Sequence, residues 1–296
     1  MAWIRVAAIL PLIAANTLLH ALPLLAVALF KALLPVERWR RACNPVLIGF
    51  AEGWIAVNSA MIDAFTRTRV GAVIDEDLRR DGDYLVLANH QSWVDILVLQ
   101  KVFNRRIPFL RFFLKRQLFW VPVLGLCWWA LDFPFMGRYT RQQIARRPEL
   151  GQRDMDTVRR ACAKFRQIPV SVMNFVEGTR FTDAKHDAQG SPYRHLLKPK
   201  SGGVAFVIEA MGDGLRTLLD VSILYPAGRP SIIDLIAGRI PEIRVAVRQR
   251  TIPDAVIGGD YRNDPAYRER FQAWMNTLWE DKDAQLERMH GEASAT

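Results

Sequence analysis

With 296 residues, half of them apolar and about a quarter charged, the chain is no disordered protein, and it has room for one folded core with a membrane attachment. A net charge of +10, nine Trp and fifteen Phe call for an anionic partner, and a phospholipid surface or nucleic acid would both qualify. The strongly apolar first forty residues decide for the membrane and against nucleic acid, which gives a chain no use for such a run.

From Ala7 to Phe30 no residue carries a formal charge unless His20 is protonated, and a helix of that length reaches about 36 Å, enough to cross a hydrocarbon core of about 30 Å. Asn16, Thr17 and His20 form a polar stripe and Pro23 would kink the helix, so a tilted or re-entrant course stays open beside a straight one. A cleaved signal peptide is the rival reading, but the apolar run exceeds the 7–15 residues of a signal core. Lys31, Arg38, Arg40 and Arg41 outnumber Arg5 on the other flank, and so put the bulk of the chain in the cytoplasm. Val46 to Phe65 is a second apolar stretch, interrupted by Glu52, Asn58 and Asp63, and reads as an interfacial or core helix. Gln117 to Met136, dense in Trp and Phe, fits the headgroup boundary or an aromatic core equally well. Residues 1–68 are therefore expected to form a membrane-anchoring helical region, and residues 69–296 a separate folded domain.

Past residue 70, short apolar runs alternate with longer mixed stretches. Tyr84 to Ala88 reads as a buried strand and Trp93 to Phe103 as the helix after it. Glu149 to Gln167 has helical spacing, Lys200-Ser201-Gly202-Gly203 opens a helix running to Met211, and Asp264 to His290 is an amphipathic C-terminal helical region. Val170 to Phe175, Leu218 to Tyr225, Ile232 to Ile236 and Ile243 to Arg248 read as further strands, and Thr182 to Tyr193, with Gly190 and Pro192, as a mobile loop. This alternation predicts an α/β fold, a mostly parallel sheet flanked by helices, with an N-terminal membrane-inserted segment. Cys43, Cys127 and Cys162 are widely spaced with no CxxC pair, so they read as reduced packing residues, and no metal site is expected.

The strand ending at Ala88 runs straight into Asn89-His90-Gln91-Ser92-Trp93-Val94-Asp95. An imidazole is suited to general-base work near neutral pH, and a carboxylate on its other nitrogen fixes the tautomer. Five helical residues rotate by about 500°, so His90 and Asp95 cannot share a helix face. His90 must sit on the turn, with Asp95 reaching back from the first turns of the helix. A second strand ends in Phe175-Val176-Glu177-Gly178-Thr179-Arg180, where Gly178 permits close backbone approach and Arg180 can grip two phosphate oxygens. Ser92 is the obvious decoy nucleophile, but no GxSxG elbow surrounds it.

Over about residues 80 to 230, four motifs in order resemble those of the glycerophospholipid acyltransferases, specifically the bacterial 1-acyl-glycerol-3-phosphate acyltransferase branch. Asn89 to Asp95 is similar to the NHxxxxD motif, Phe135-Met136-Gly137-Arg138 to the second motif, Phe175 to Arg180 to FPEGTR, and Val221 to Pro226 to the strand-borne fourth. The resemblance implies His90 as base, Asp95 as its orienting carboxylate, and Arg138, Glu177, Gly178, Thr179 and Arg180 as acceptor-binding residues, with Lys115 and Lys200 also on the substrate. It implies transfer of a fatty acyl group from acyl-carrier protein or coenzyme A thioester to the sn-2 hydroxyl of 1-acyl-sn-glycerol-3-phosphate, at the bacterial inner membrane and facing the cytoplasm. No cofactor beyond that thioester co-substrate is called for. Another lysophospholipid acceptor, and lipid binding without turnover, are the alternatives. Val176 in place of proline, Gln117 in place of glutamate, and a fourth motif without its proline depart from the pattern.

Overall fold

The computed structural model of the chain describes residues 2–34, 36–74, 77–137, 139, 141–166 and 168–294. Two long helices come first, α1 (Ala2–Leu33) and α2 (Glu37–Phe65). β1 (Arg69–Ile74), β2 (Tyr84–Ala88), α3 (Val94–Phe103), β3 (Leu110–Phe112), β4 (Leu114–Lys115), α4 (Leu124–Ala130), β5 (Phe135–Met136), α5 (Arg141–Arg146) and α6 (Pro148–Phe165) follow. The rest of the chain is β6 (Ser171–Phe175), α7 (Asp183–Gln189), α8 (Ser201–Met211), β7 (Thr217–Leu224), α9 (Ile232–Ile236), β8 (Glu242–Thr251) and α10 (Pro265–Ser294).

Among the described residues the main sheet has six strands in the order β1-β8-β7-β2-β6-β3, and β4 pairs with β5 apart from it. Every neighbouring pair is parallel except β7 with β8, so the mostly parallel sheet flanked by helices is the fold. β2 runs down the middle, paired with β6 at Ala88↔Phe175 and with β7 at Ala88↔Val221. All five of its residues are buried because helices cover both faces. Its side chains alternate: Tyr84, Val86 and Ala88 pack with α1, α2 and α3, whereas Leu85 and Leu87 pack with α6, α8 and α10. From β2 the chain leaves toward the β3 edge, and from β6 it crosses back to β7. A ligand crevice is expected at such a reversal, beyond the carboxyl ends of the strands.

Two expected elements differ. Ile232 to Ile236 is helical, because Ser231 and Asp234 form a reciprocal capping box that starts α9. Thr182 to Tyr193 contains α7, closed at one end by the Thr182 side chain accepting from the Lys185 N–H and at the other by Gly190 at φ 53°.

Both α1 and α2 are long and apolar enough to cross a membrane, and only 22% and 28% of their apolar windows are buried within the protein. For α2 this exceeds the interfacial or core helix read from its polar residues, and those residues have partners. Glu52 takes Arg80 at 2.8 Å, Asn58 accepts from Asn16 at 2.9 Å and Asp63 takes Lys101 at 2.5 Å. The polar stripe of α1 faces α2 in the same way: Trp54 donates to Thr17, and a Cβ at Gly53 would come within 3.0 Å of His20 Nε2. Interhelical hydrogen bonds and small-residue contacts of this kind join helices where water is absent. In the Gln117 to Met136 stretch, both readings find residues: Trp120 and Trp129 are exposed, whereas Cys127, Leu131 and Phe133 are buried in the core.

Candidate active site

β2 ends at Ala88, and the next residue is clamped to the neighbouring strand. The fully buried Asn89 amide donates to the Ile223 carbonyl at 2.9 Å and accepts from the Ile223 N–H at 2.8 Å, continuing the β2–β7 ladder by one side-chain rung. His90 therefore emerges at a fixed point on the rim of the sheet. Its ring stacks on Phe175 at the end of β6, with centroids 3.9 Å apart and planes 15° from parallel.

Asp95, on the first turn of α3, reaches back as the helix geometry requires. Its Oδ2 accepts from His90 Nδ1 at 2.8 Å and from the backbone N–H groups of Gln91 at 2.7 Å and Ser92 at 2.9 Å. Its Oδ1 accepts from the Tyr225 hydroxyl at 2.6 Å. Asp95 is fully buried with four donors around it, an arrangement that holds a carboxylate in one orientation. With Nδ1 engaged, His90 presents Nε2, which has no hydrogen-bond partner among the described residues, from a ring 14% exposed. Tyr225 lies in the fourth motif, and no role was expected for it individually. Burial and the adjacent Asp95 raise its pKa well above the ordinary phenol value, so it stays a donor.

Glu177, expected on the acceptor, is buried instead. Its Oε1 accepts from the His90 N–H at 2.8 Å and its Oε2 from the Leu197 N–H at 3.1 Å, so it ties the turn after β2 to the segment before α8. The Phe181 N–H donates to the His90 carbonyl at 2.7 Å, which joins the two motif turns to each other. Burial pushes the Glu177 carboxyl up to about 7, opposed by the two backbone donors. Because the folded value lies above the ordinary 4.5, this group's contribution to stability is complete below that value and is lost as pH rises through about 7. Glu177→Gln is expected to flatten the fall of the unfolding midpoint across that window, measured by tryptophan fluorescence at a series of pH values. A variant that still falls as steeply as the parent would assign the slope to another group.

Gly178 adopts φ +70°, and a Cβ there would lie 3.0 Å from Lys200 Cδ, so glycine allows the Lys200 side chain to lie across the turn. The Lys200 N–H donates to the Val176 carbonyl at 2.8 Å, which is how two residues distant in sequence are brought together. Thr179 accepts from Lys185 Nζ at 2.8 Å, and the same ammonium donates to the Arg180 carbonyl at 2.9 Å. Sequence spacing had not singled out Lys185. The Arg180 guanidinium lies 5.1 Å over the Trp93 ring. Among the described residues, Arg180 and Lys200 have no carboxylate within ion-pairing distance, and both are exposed. Lys115 is exposed on β4, opposite Met136 of β5; β4 follows Phe112, whose ring is 6.4 Å from Phe175. Arg138 lies outside the described residues.

The alternative nucleophiles are otherwise engaged. The Ser92 hydroxyl donates to the Pro230 carbonyl at 2.5 Å and accepts from the Val94 N–H at 3.0 Å. All three cysteines are buried and free of disulfides, and burial pushes the Cys127 thiol up to about 11 and the Cys162 thiol up to about 12, far from the thiolate a nucleophile needs.

The Acyltransferase family model matches residues 69–226, from the start of β1 to just past Tyr225. The chain belongs to the Acyltransferase family. Its curated relatives include the 1-acyl-sn-glycerol-3-phosphate acyltransferase delta of Mus musculus, 24% identical over 213 residues that cover 68% of this chain and 51% of that protein. The gamma form from Homo sapiens is 24% identical over 181 residues, 57% of this chain and 43% of that one. This acyltransferase thus spans about half the length of the curated relatives it matches. Its fold resembles the crystal structure of the 1-acyl-sn-glycerophosphate acyltransferase PlsC from Thermotoga maritima, with a TM-score of 0.51 and 16% identity over 94% of this chain and 97% of that one.

Proposed function

We propose that this acyltransferase moves a fatty acyl group from acyl-carrier protein or coenzyme A to the sn-2 hydroxyl of 1-acyl-sn-glycerol-3-phosphate, forming phosphatidic acid. The observation that carries the reading is the His90–Asp95 pair, with Nε2 open at the carboxyl end of β2, beside Arg180 on the adjoining turn and Lys200 lying across it, neither with a carboxylate in ion-pairing distance among the described residues. The names borne by the relatives supply the acceptor.

His90 Nε2 takes the proton of the acceptor hydroxyl as its oxygen attacks the thioester carbonyl. The tetrahedral intermediate collapses with cleavage of the C–S bond, and the imidazolium returns its proton to the departing thiolate. Asp95 holds the imidazole and stabilises its charged form. Neither an acyl-enzyme, a metal nor a bound cofactor takes part in this route. Glu177 acts as a positioning residue, since its carboxylate is spent on the backbone of His90 and Leu197. Residues 1–68 anchor the enzyme in the membrane, and the catalytic domain, 69–296, faces the cytoplasm.

Incubating the purified full chain with an acyl thioester and 1-acyl-sn-glycerol-3-phosphate should give phosphatidic acid and free thiol in equal amounts, read by mass spectrometry. Free fatty acid as the sole acyl product, whether or not the acceptor is present, would make the protein a thioester hydrolase and end the proposal.

A second expected result concerns the phosphate. Charge-assisted hydrogen bonds are worth roughly 1.5–3 kcal/mol, and 1.4 kcal/mol is a decade. Arg180→Ala is thus expected to lower kcat/KM by about 10- to 100-fold for the phosphate-bearing acceptor, and by much less for an uncharged monoacylglycerol. Arg138→Ala should behave alike. Lysine at either position should recover only part of the loss, because an ammonium cannot reproduce the planar fork. Equal losses on both acceptors would take the phosphate away from these arginines.

A further inference from the structure

At the amino-terminal ends of β3 and β6, opposite the rim that carries His90, a cleft of about 1020 Å³ opens between the two apolar helices and the sheet. None of the active-site residues described above lines it. Among the described residues its walls carry Lys31, Arg40, Arg41, Arg80, Arg111 and Lys164 against three carboxylates. Those carboxylates are already engaged. Asp132 takes Lys31 at 3.4 Å and Lys164 at 2.5 Å, Glu52 takes Arg80 at 2.8 Å, and Glu37 takes Arg41 at 3.1 Å.

Arg111 is what makes the cleft more than a charged surface. It sits on the edge strand β3, only 4% exposed, with its guanidinium 5.3 Å from the Phe165 ring and 6.0 Å from the Phe109 ring. Its Nε and Nη1 are buried and have no hydrogen-bond partner among the described residues. Burial lowers its pKa to about 10, against the opposing charge of Asp132, which leaves it a cation at neutral pH, and Asp132 is itself shared with two lysines. A buried guanidinium with unpaired donors is costly unless something supplies acceptors. Arg40, on the α2 wall, likewise has no carboxylate within ion-pairing distance among the described residues.

We propose that this cleft is a second anion site, separate from acyl transfer, in which Arg111 and Arg40 bind a phosphate group. A planar fork and a second cation suit two oxygens of one phosphate. Two sources share that chemistry, an anionic phospholipid headgroup and free phosphate. The remaining wall favours the lipid. Ala28 and Ala32 of α1, Ile48 of α2 and Trp129 of α4 line the same cleft, which therefore opens between the two helices with the apolar faces and offers acyl chains a surface beside the cations.

The test uses the full chain in neutral detergent at fixed ionic strength, with binding read as the shift of the thermal unfolding midpoint. Dihexanoyl phosphatidylglycerol, dihexanoylglycerol and inorganic phosphate are titrated separately. Phosphatidylglycerol should bind saturably and dihexanoylglycerol should not. Affinity should fall by about tenfold or more in Arg111→Met and severalfold in Arg40→Gln, yet hold in Arg180→Ala, which reports the acceptor site. Without ligand, Arg111→Met should be at least as stable as the parent, since it removes an unpaired buried charge. Inorganic phosphate giving the same shift with the same sensitivity to Arg111 and Arg40 would make free phosphate the source and sustain the site. If Arg111→Met does not fold, the surface variant Arg40→Gln decides. Equal binding of the two dihexanoyl probes, or unchanged phosphatidylglycerol affinity in Arg40→Gln and in any folded Arg111→Met, would overturn the proposal.

Discussion

His90→Ala is expected to lower kcat by about 10²- to 10⁴-fold, the range a positioned general base contributes, with the unfolding midpoint changed far less. The imidazole is partly exposed and its ring contact is a single stack on Phe175, so little packing depends on it. Asp95→Asn should reverse the balance. The imidazole stays, so the loss of turnover is smaller than in His90→Ala, but the loss of stability is larger. Four donors converge on Asp95 from His90, Gln91, Ser92 and Tyr225, and a carboxamide turns its own N–H bonds against some of them in a fully buried place. Steady-state rates and chemical unfolding measured on both variants separate the two effects. If His90→Ala keeps activity within a few fold of the parent, proton transfer by this residue is excluded.

The His90–Asp95 relation was legible because it is local. Both residues fall in one seven-residue run at a strand end, and helix geometry alone required the carboxylate to reach back to the turn. The rest of the constellation is held by contacts that sequence spacing does not encode. Tyr225 meets Asp95 across 130 residues of chain and Glu177 meets the His90 N–H across 87. Glu177 illustrates the limit well. Its motif was readable, but residue type does not say whether a carboxylate faces a substrate or the backbone, and here both oxygens are taken by N–H groups.

The fold divides in a similar way. β2 was plain because it is buried on both faces, and α8 because its apolar run begins at a Lys-Ser-Gly-Gly opening. Ile232 to Ile236 misled because β-branched residues favour strands, yet one capping box outweighed that preference in so short a segment. α7 was hidden for the opposite reason: its residues are polar and its two caps, Thr182 and Gly190, look like loop chemistry. β3, three residues long, has no pattern of its own, and its place at the sheet edge comes from pairing with β6.

The largest effect on stability is expected at Lys282, a residue no motif singled out. It projects from α10 into the core against the middle of the sheet, where its ammonium donates to the Val221 carbonyl at 2.6 Å and to the Leu87 carbonyl at 3.4 Å and pairs with Asp220. Its side chain is 1% exposed and that of Asp220 5%, so neither charge has water to fall back on. Burial drives the Lys282 pKa down while Asp220 opposes the shift. Lys282→Met fills a similar volume but leaves the buried Asp220 with Arg250, at 3.3 Å, as its remaining cation among the described residues, and removing one member of such a buried pair costs up to about 3–5 kcal/mol. That is a large part of the 5–15 kcal/mol typical of a folded domain. Adding Asp220→Val should restore most of the loss, because replacing both partners with apolar side chains leaves no unpaired charge behind. The single variants and the double variant, compared by chemical unfolding, form the cycle that isolates the pair. The carbonyls of Leu87 and Val221 lie just behind Asn89 and Ile223, so the single Lys282 variant should also lose activity in step with its stability. A double variant no more stable than Lys282→Met, or a single variant within about 1 kcal/mol of the parent, well short of the loss expected for a broken buried pair, would show that the pair does not hold this part of the core.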